Sequence, residues 1–397
     1  MKLIKLIFLF GFIILISLFL KYSLSNDNFK LIAKDLLSEA DIKINGNRPW
    51  DIKVNDEKLY DCVLQNGSLG LGESYVEGCW DVQDLDQFFF KLLNSKLDKK
   101  VKSSWPLMFD LLKAKIFNLQ STSRAFDVGK QHYDLGNDLF QNMLDKNMIY
   151  SCGYWRDAKN LDEAQEKKLE LICKKLNLQP GMSVLEIGCG WGGLAFYAAK
   201  NYGVNVVGLT VSKQQANFAQ DCCKGLPVKI LLIDYRDLNK AAKFDRIVSV
   251  GMFEHVGYKN YKTFMDIAHS LLKDDGLFLL HTIGSNTSNS SGDPWINKYI
   301  FPNGMLPSVK QIAEAAEGLF VLEDWHNFGT DYDKTLMAWF ENFNNNWDKL
   351  KSKYDEKFYR MWKYYLLSCA GLFRARAAQL WQIIFSKGNI NGYESVR

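Results

Sequence analysis

Apolar runs and helical patterns alternate through the second half of the chain. A strand-like run at residues 183–187, SVLEI, ends at a glycine cluster, and a helical pattern then continues to Tyr202. Strand, glycine turn, helix and strand in this order are typical of a parallel sheet with helices on both faces. We therefore predict a Rossmann-like α/β domain with a helical insertion. The other predicted strands are residues 205–209, 228–232, 244–250, 276–280, 320–324 and 380–385, and the other predicted helices are residues 213–223, 261–272, 336–351 and 354–374.

The chain ahead of this domain contains shorter amphipathic segments. Residues 29–40 place apolar side chains at helical spacing, and residues 85–93 are again helix-like. Residues 67–72 carry three glycines and predict a turn-rich patch. These patterns indicate a small N-terminal domain at residues 26–123 and an α/β domain at residues 124–397.

The first 25 residues do not fit either domain. The run from Leu6 to Leu20 holds no charge, and Lys21 closes it. As a helix it would extend about 22 Å, short of the roughly 30 Å hydrocarbon core of a bilayer. No small-x-small cleavage site follows it. It is a membrane anchor, an insert in one leaflet, or the product of a start site placed too far upstream, and we favour shallow membrane attachment.

A second segment also has two interpretations. Residues 94–125 hold seven basic residues against Asp98 and Asp110, a net charge of +5, with apolar and aromatic residues among them. This mixture suits the surface of an anionic bilayer. It equally suits a core helix with solvated lysines, and we favour this second interpretation.

Composition narrows the class of protein. The 397 residues are 47% apolar and 24% charged, which excludes a disordered or collagenous chain. A net charge of +4 does not by itself indicate a nucleic-acid binder. The eight cysteines show no CxxC pair and no zinc-type spacing, so we expect reduced thiols. An enzyme is the leading class.

The glycine cluster is a candidate ligand-binding loop. Gly188, Gly190 and Gly193 satisfy GxGxxG, a weak signal for a dinucleotide. A dinucleotide site should place an acid about 20 residues on, at the end of the second strand. Residues 208–212 contain none. The glycine cluster therefore either binds a ligand other than a dinucleotide or forms a purely structural tight turn.

Polar residues follow the ends of the other predicted strands. They include carboxylates and imidazoles, and the carboxyl ends of parallel strands meet at one edge of the sheet, where ligands of such folds bind. Their convergence favours a functional site over isolated structural residues. The residues are Thr210, Gln215, Asp234, Tyr235, Glu254, His255 and His281.

These motifs resemble a known family. The stretch 181–193, GMSVLEIGCGWGG, looks like the first motif of S-adenosylmethionine-dependent methyltransferases. More narrowly, the chain resembles the cyclopropane-fatty-acyl-phospholipid synthases and their mycolic-acid relatives. The resemblance covers about residues 26–397 and implies a class I methyltransferase fold with a small N-terminal lipid-binding domain. Supporting motifs are HYDLGND at 132–138, YSCGYW at 150–155, SVGMFEHVG at 249–257, LHTIG at 280–284, PWINKYIFP at 294–302, DYDKTLMAW at 331–339 and YLLSCAGLFRAR at 365–376.

The resemblance also implies a reaction. Such enzymes transfer a methyl group from the sulfonium to a cis double bond of a phospholipid acyl chain. The resulting carbocation loses a proton from the new methyl group and closes to a cyclopropane. In the family a bicarbonate ion serves as the base, held by residues that correspond to Cys152, Glu254, His281, the amide of Ile283, and Tyr332. Cys369 corresponds to a cysteine often assigned as a nucleophile. Carbocation chemistry needs no nucleophile, so Cys369 is either a catalytic residue of the active site or a structural thiol.

For S-adenosylmethionine, the resemblance implies residues from several motifs. Thr210 and Gln215 would take the ribose side, where most methyltransferases use an acid, which accounts for the missing acid. The full set of implied cofactor-binding residues is Tyr133, Asp134, Ser151, Glu186, Gly188, Gly190, Gly193, Thr210, Gln215, Asp234 and Tyr235.

The resemblance further implies a homodimer acting on monounsaturated membrane phospholipids. We expect no metal and no nucleic-acid partner, and a location on the cytoplasmic face of the membrane, peripheral or anchored by the N-terminus. The N-x-[ST] sites at Asn66, Asn286 and Asn289 are then chance matches. Two alternatives stay open: a transferase that leaves a methyl or methylene branch, and an inactive membrane-binding protein that keeps the fold.

Overall fold

The computed structural model describes residues 26–95, 136–239 and 241–397. The apolar run at residues 6–20 and most of the basic stretch at 94–125 lie outside the described residues. The predicted cofactor residues Tyr133 and Asp134 also lie outside them.

The described chain divides into two compact units. The small unit contains residues 26–95 together with Lys357–Tyr364, and the large unit contains the remainder. The elements of the small unit before residue 95 are helix α1 (Asn26–Glu39), strand β1 (Lys53–Val54), helix α2 (Lys58–Asn66), helix α3 (Ser68–Val76), strand β2 (Trp80–Asp81) and helix α4 (Leu85–Asn94), and β1 pairs with β2 antiparallel.

The prediction of a turn-rich patch at residues 67–72 is wrong. Only Gly67, with a φ of 56°, forms a turn, and α3 begins at the next residue. A Cβ on Gly70 would lie 1.8 Å from the backbone oxygen of Cys62 in α2. Gly70 therefore allows the backbones of α2 and α3 to pack closely against each other, and it does not end the helix.

The core of the small unit is aromatic. Trp80 is fully buried, its ring centroid 5.0 Å from that of Tyr75 and 5.4 Å from that of Phe88. Tyr364, from the distant C-terminal segment, packs edge-on against Phe89 at 5.3 Å. Residues some 280 positions apart thus share one core.

The large unit is built on a seven-stranded sheet in the order β5-β4-β3-β6-β7-β9-β8. β5, β4, β3, β6 and β7 are parallel, and β9 is antiparallel to both of its neighbours. The predicted parallel sheet is confirmed. The strands are β3 (Ser183–Ile187), β4 (Asn205–Thr210), β5 (Val228–Leu232), β6 (Phe244–Val250), β7 (Leu272–Ser285), β8 (Val321–Asn327) and β9 (Ala378–Ser386).

Helices cover both faces of this sheet. Along β3, Leu185 and Ile187 belong to one buried cluster, while Val184 belongs to another. Alternating side chains of a strand point to opposite faces, so both faces are buried. The helices of the large unit are α5 (Asn137–Met143), α6 (Leu161–Lys175), α7 (Gly193–Tyr202), α8 (Lys213–Cys222), α9 (Tyr261–Leu271), α10 (Pro294–Tyr299), α11 (Val309–Ala316), α12 (Thr330–Asn345) and α13 (Trp347–Leu350), and α14 (Glu356–Arg374) supplies residues to both units.

Two further features of the described chain bear on the predictions. All eight cysteines are free thiols, as expected. Among residues 26–95, 136–239 and 241–397, no helix is both long enough and apolar enough to span a bilayer.

Candidate active site

The site lies at the carboxyl ends of the parallel strands in the large unit. The glycine loop follows β3, Thr210 ends β4, and Asp234 follows β5. Glu254 lies in a 3₁₀ turn (Phe253–His255) after β6. His281 in β7 pairs with Val250, the last residue of β6, which puts it at the same edge. The predicted convergence of strand ends is therefore present.

The glycine loop needs its glycines for two different reasons. Gly188 and Gly190 have φ values of 87° and 53°, which side chains rarely adopt. Gly193, the first residue of α7, has an ordinary φ, but a Cβ there would lie 2.4 Å from Ile149 Cδ1. The loop thus combines an unusual backbone with close packing, and leaves the backbone open at the amino end of α7.

The two residues predicted on the ribose side contact each other. Thr210 donates its hydroxyl hydrogen to Gln215 Oε1 at 3.0 Å. Asp234 accepts two hydrogen bonds from the Arg236 guanidinium at 2.7 and 2.9 Å, and Arg236 lowers the pKa of this carboxyl. Tyr235 is buried, with its ring 5.2 Å from Phe264, so this side chain belongs to the core behind the edge.

Glu254 is a buried carboxyl with one free oxygen. Its Oε1 accepts the backbone N–H of Ile283 at 2.6 Å. Its Oε2 is buried and has no hydrogen-bond partner among the described residues. Burial raises the pKa of Glu254 from 4.5 to about 7. This group therefore exchanges a proton near neutral pH.

His281 carries the second unpartnered atom. The side chain is 1% exposed, and its Nδ1 lies 3.2 Å from the amide nitrogen of Gln382. Its Nε2 has no partner among the described residues. Burial, with smaller contributions from Lys168 and Lys175, holds the pKa of His281 well below its usual range. The imidazole is therefore neutral.

Cys152 and Tyr332 are neutral donors beside this pair. The Cys152 thiol is fully buried and donates to the backbone oxygen of Gly153 at 3.2 Å. Burial raises the pKa of Tyr332 far above its usual range, with further upward contributions from the nearby Cys152, Glu254 and Cys369. The Tyr332 side chain is therefore a neutral phenol at neutral pH.

The Cys369 thiol lacks the lowered pKa of a nucleophilic cysteine. Burial raises the pKa of its thiol to about 12, with a smaller contribution from Asp293. A nucleophilic cysteine needs a lowered pKa and a nearby cation. At neutral pH this group is a thiol, which favours a structural role for Cys369 over a nucleophilic one.

Lys168 was missed from the sequence. It lies in α6, is 1% exposed, and donates from Nζ to Ser151 Oγ at 2.9 Å. Burial lowers the pKa of Lys168 to about 8 and raises the pKa of Glu186 to about 8. Lys168 thus lies behind two residues predicted to bind the cofactor. Helical spacing could have found it, since it follows the buried Leu161 and Ala164 on the inner face of α6.

Thr335 was also missed, although it lies one turn after Tyr332 in α12. Its hydroxyl oxygen accepts the N–H of Gly153 at 3.1 Å and the indole N–H of Trp155 at 2.9 Å. It lies 3.8 Å from the sulfur of Cys152. One helical turn therefore presents Tyr332 and also fixes the segment that carries Cys152.

Comparison with known proteins identifies the family. The family described as mycolic acid cyclopropane synthetase matches residues 120–383. The cyclopropane-fatty-acyl-phospholipid synthase of Escherichia coli strain K12 is 57% identical over 375 residues, which cover 94% of this chain and 98% of that protein. The chain belongs to the mycolic acid cyclopropane synthetase family. The resemblance seen in the motifs is confirmed, and so is the prediction of an S-adenosylmethionine-dependent methyltransferase.

Solved structures of the family share the fold of the large unit. The cyclopropane synthase MmaA2 from Mycobacterium tuberculosis is 35% identical with a TM-score of 0.61, covering 66% of this chain and 98% of that one. The mycolic acid cyclopropane synthase CmaA1, complexed with SAH and CTAB, is 36% identical with a TM-score of 0.60 and the same coverage. A coclaurine N-methyltransferase, 22% identical with a TM-score of 0.63, shares the fold alone. The predicted class I methyltransferase fold is confirmed.

Proposed function

We propose that this family member is a cyclopropane-fatty-acyl-phospholipid synthase, which adds a methylene group from S-adenosylmethionine across the cis double bond of a phospholipid acyl chain. The observation that carries the proposal is the pair of unpartnered buried atoms, Glu254 Oε2 and His281 Nε2, beside the glycine loop of a methyltransferase fold. A buried polar atom without a partner costs stability, so its retention points to a ligand. The 57% identity to the E. coli synthase supports the same reaction.

S-Adenosylmethionine, when bound, supplies the electrophilic methyl group. The glycine loop would receive its amino-acid portion, because Gly188 and Gly190 leave the backbone without side chains there. The Thr210–Gln215 pair would meet the ribose. Ser151 and Glu186, supported by Lys168, would complete the pocket, and Tyr133 and Asp134 stay predicted members of it.

The residues around Glu254 fit a small, planar anion such as bicarbonate, which would supply the base for the proton lost in ring closure. The unpartnered His281 nitrogen and the neutral Tyr332 hydroxyl suit an anion as hydrogen-bond donors. The neutral Cys152 thiol would join them by turning its hydrogen from the Gly153 oxygen to the anion. Glu254 suits it in its protonated form, which the raised pKa favours. The amide of Ile283 donates to Glu254, and so would act chiefly by orienting that carboxyl.

Aromatic rings connect the glycine loop to Tyr332. The ring of Trp191 lies 4.8 Å from Phe140, and Tyr150 lies 5.2 Å from Phe140 and 5.1 Å from Trp339. Trp339 in turn lies 5.9 Å from Tyr332. Aromatic faces attract a cation and exclude water, so this row would stabilise a carbocation against capture by water.

The substrate implies work at a bilayer surface. We propose that residues 1–25 and the basic stretch at 94–125 assist contact with the cytoplasmic leaflet, on their apolar and basic composition alone. Removing residues 1–25 should weaken binding to anionic vesicles severalfold while leaving turnover of detergent-dispersed phospholipid unchanged, as measured by vesicle sedimentation and product assay. A folded but inactive truncation would contradict this. The predicted homodimer is tested by light scattering on the same samples.

The decisive experiment is product analysis. Purified protein is incubated with S-adenosylmethionine, bicarbonate and vesicles of a cis-monounsaturated phospholipid, and the released fatty acids are examined by mass spectrometry and proton NMR. Both methods are needed, because a ring and a methylene branch have the same mass. Upfield ring protons are the expected result.

Two other outcomes correspond to the alternatives. An olefinic or saturated branched product would replace ring closure by simple methyl transfer, a possibility that a 38%-identical probable fatty acid methyltransferase of Pseudomonas putida keeps open. Absence of product from any monounsaturated phospholipid, with the cofactor bound, would favour the inactive membrane-binding protein.

A further inference from the structure

The neutral state of His281 raises the question of which ring nitrogen carries its single hydrogen. The ring is buried at the sheet edge, 5.9 Å from Phe328. A neutral imidazole is a donor at one nitrogen and an acceptor at the other. Only the tautomer with the hydrogen on Nε2 offers a donor at the unpartnered atom.

The Gln382 amide group indicates which ring nitrogen of His281 carries the hydrogen. It lies directly opposite His281 in the antiparallel β7–β9 pair and is completely buried. Its amide nitrogen lies 3.2 Å from His281 Nδ1. With its amide nitrogen turned toward Nδ1, Gln382 donates, so Nδ1 accepts and the ring hydrogen lies on Nε2.

A structural explanation of Gln382 is weak. Its neighbours along β9, Trp381 and Ile383, are buried apolar residues. Its own Oε1 is buried with no partner among the described residues. A buried amide with an unsatisfied oxygen costs stability compared with an apolar side chain of similar size.

We infer that Gln382 is a positioning residue that holds His281 in its Nε2–H tautomer, so that the imidazole presents a hydrogen-bond donor to the anion. The inference rests on the proposed function for the role of that donor, but not for the tautomer itself. With the hydrogen on Nδ1, the lone pair of Nε2 would face the anion and repel it.

The first test is spectroscopic and does not depend on activity. The full chain is labelled with ¹⁵N-histidine, and the His281 ring nitrogens are assigned by comparison with a His281→Gln variant. We expect the Nε2–H tautomer in the native chain. In Gln382→Met the fixed tautomer should be lost, and in Gln382→Glu the carboxylate should draw the hydrogen to Nδ1.

The second test separates positioning from packing. Gln382→Met should lower turnover about tenfold or more, by analogy with the cost of losing a residue that orients a metal-ligating histidine, with thermal stability equal to or above that of the native chain. The matched control is Gln379→Met in the same strand, whose amide bonds to Arg376 and Asn327. This control should lose stability and keep turnover.

Each outcome decides the inference. An Nδ1–H tautomer in the native chain, or a Gln382→Met variant with an unchanged tautomer, overturns it regardless of activity. A changed tautomer with unchanged turnover also overturns the positioning role. If the tautomer behaves as expected but His281→Gln retains full turnover, the role of His281 in the proposed function is at fault, and the assignment of the tautomer to Gln382 stands.

Discussion

Two of the buried clusters of titratable side chains in the large unit differ in how completely their polar atoms are hydrogen-bonded. In the first, Glu254 Oε2 and His281 Nε2 have no partners among the described residues. In the second, Asp324 accepts hydrogen bonds from Arg397 at 2.6 Å on both oxygens and from Ser395 at 2.9 Å.

The second cluster is closed by a further cation. The ammonium of Lys175 lies 3.7 Å from Asp324 and 3.1 Å from His326 Nδ1. Burial lowers the pKa of Lys175 to about 7 and that of His326 to about 3. Both clusters therefore have strongly shifted pKa values, yet only one has atoms left for a ligand. The shifted pKa values reflect burial in both clusters, whereas the unpartnered titratable atoms distinguish the first cluster as a candidate site.

The largest expected effect is at the open cluster. Glu254→Gln keeps an oxygen for the Ile283 amide but removes the exchangeable proton, so turnover should fall about 100-fold or more, with cofactor affinity retained and thermal stability at neutral pH equal to or above that of the native chain. Initial rates of ring formation and thermal unfolding measure the two quantities. Glu314→Gln, on an exposed helix face, is the control and should behave like the native chain. Unchanged turnover in Glu254→Gln would remove this carboxyl from the mechanism.

The closed cluster should respond in the opposite way. Asp324→Ala leaves the buried Lys175 without its carboxylate, and breaking such a pair costs about 3 kcal/mol of unfolding free energy. Turnover, measured well below the new unfolding midpoint, should stay within about threefold of the native rate, because Asp324 touches no group of the site. If Asp324→Ala lost turnover while its unfolding free energy stayed unchanged, Asp324 would have a functional role, and the two clusters would not differ in the way described.

The two clusters should also differ in how pH affects stability. The folded-state pKa of Glu254 is raised to about 7, so its contribution is complete below its ordinary pKa of 4.5 and is lost as pH rises through 7. The pKa of Asp324 is lowered by Arg397, so its contribution is present above its ordinary value of 3.8 and is lost only at lower pH. Between pH 4.5 and 7.5, native unfolding free energy should fall relative to Glu254→Gln, by up to about 3 kcal/mol. Urea unfolding across this range measures the difference, and parallel profiles would contradict the raised pKa.

The smallest effect is expected at Cys369. Its thiol pKa of about 12 excludes a thiolate at neutral pH, so it cannot act as a nucleophile there. Cys369→Ala should change turnover by less than about threefold, the size of a packing change beside Tyr332. Loss of more than 100-fold in both Cys369→Ala and Cys369→Ser would instead make the sulfur part of the chemistry.

The strands and the glycine loop could be predicted from the sequence because local pattern determines them. The run at residues 183–187 is buried on both faces and ends where Gly188 takes a positive φ, so composition and position agree. The helix at residues 68–76 could not be predicted, because Gly70 is explained by a backbone contact with Cys62 that only the fold creates.

The residues of the site also differ in whether the sequence alone predicts them. Glu254 and His281 follow strand ends and are visible as motifs, whereas Gln382 and Thr335 act through residues more than 100 positions away. Gln382 is an ordinary residue in an apolar strand until the register sets it opposite His281. Sequence therefore reveals the groups that meet the ligand more readily than the groups that orient them.

Helix α14 has a consequence for inheritance. Its residues 357–364 belong to the core of the small unit, where Arg360 donates to the Tyr75 and Trp80 carbonyls and Tyr364 packs on Phe89. Two stretches far apart in the gene therefore encode one core, and a substitution in either of them disturbs the same packing.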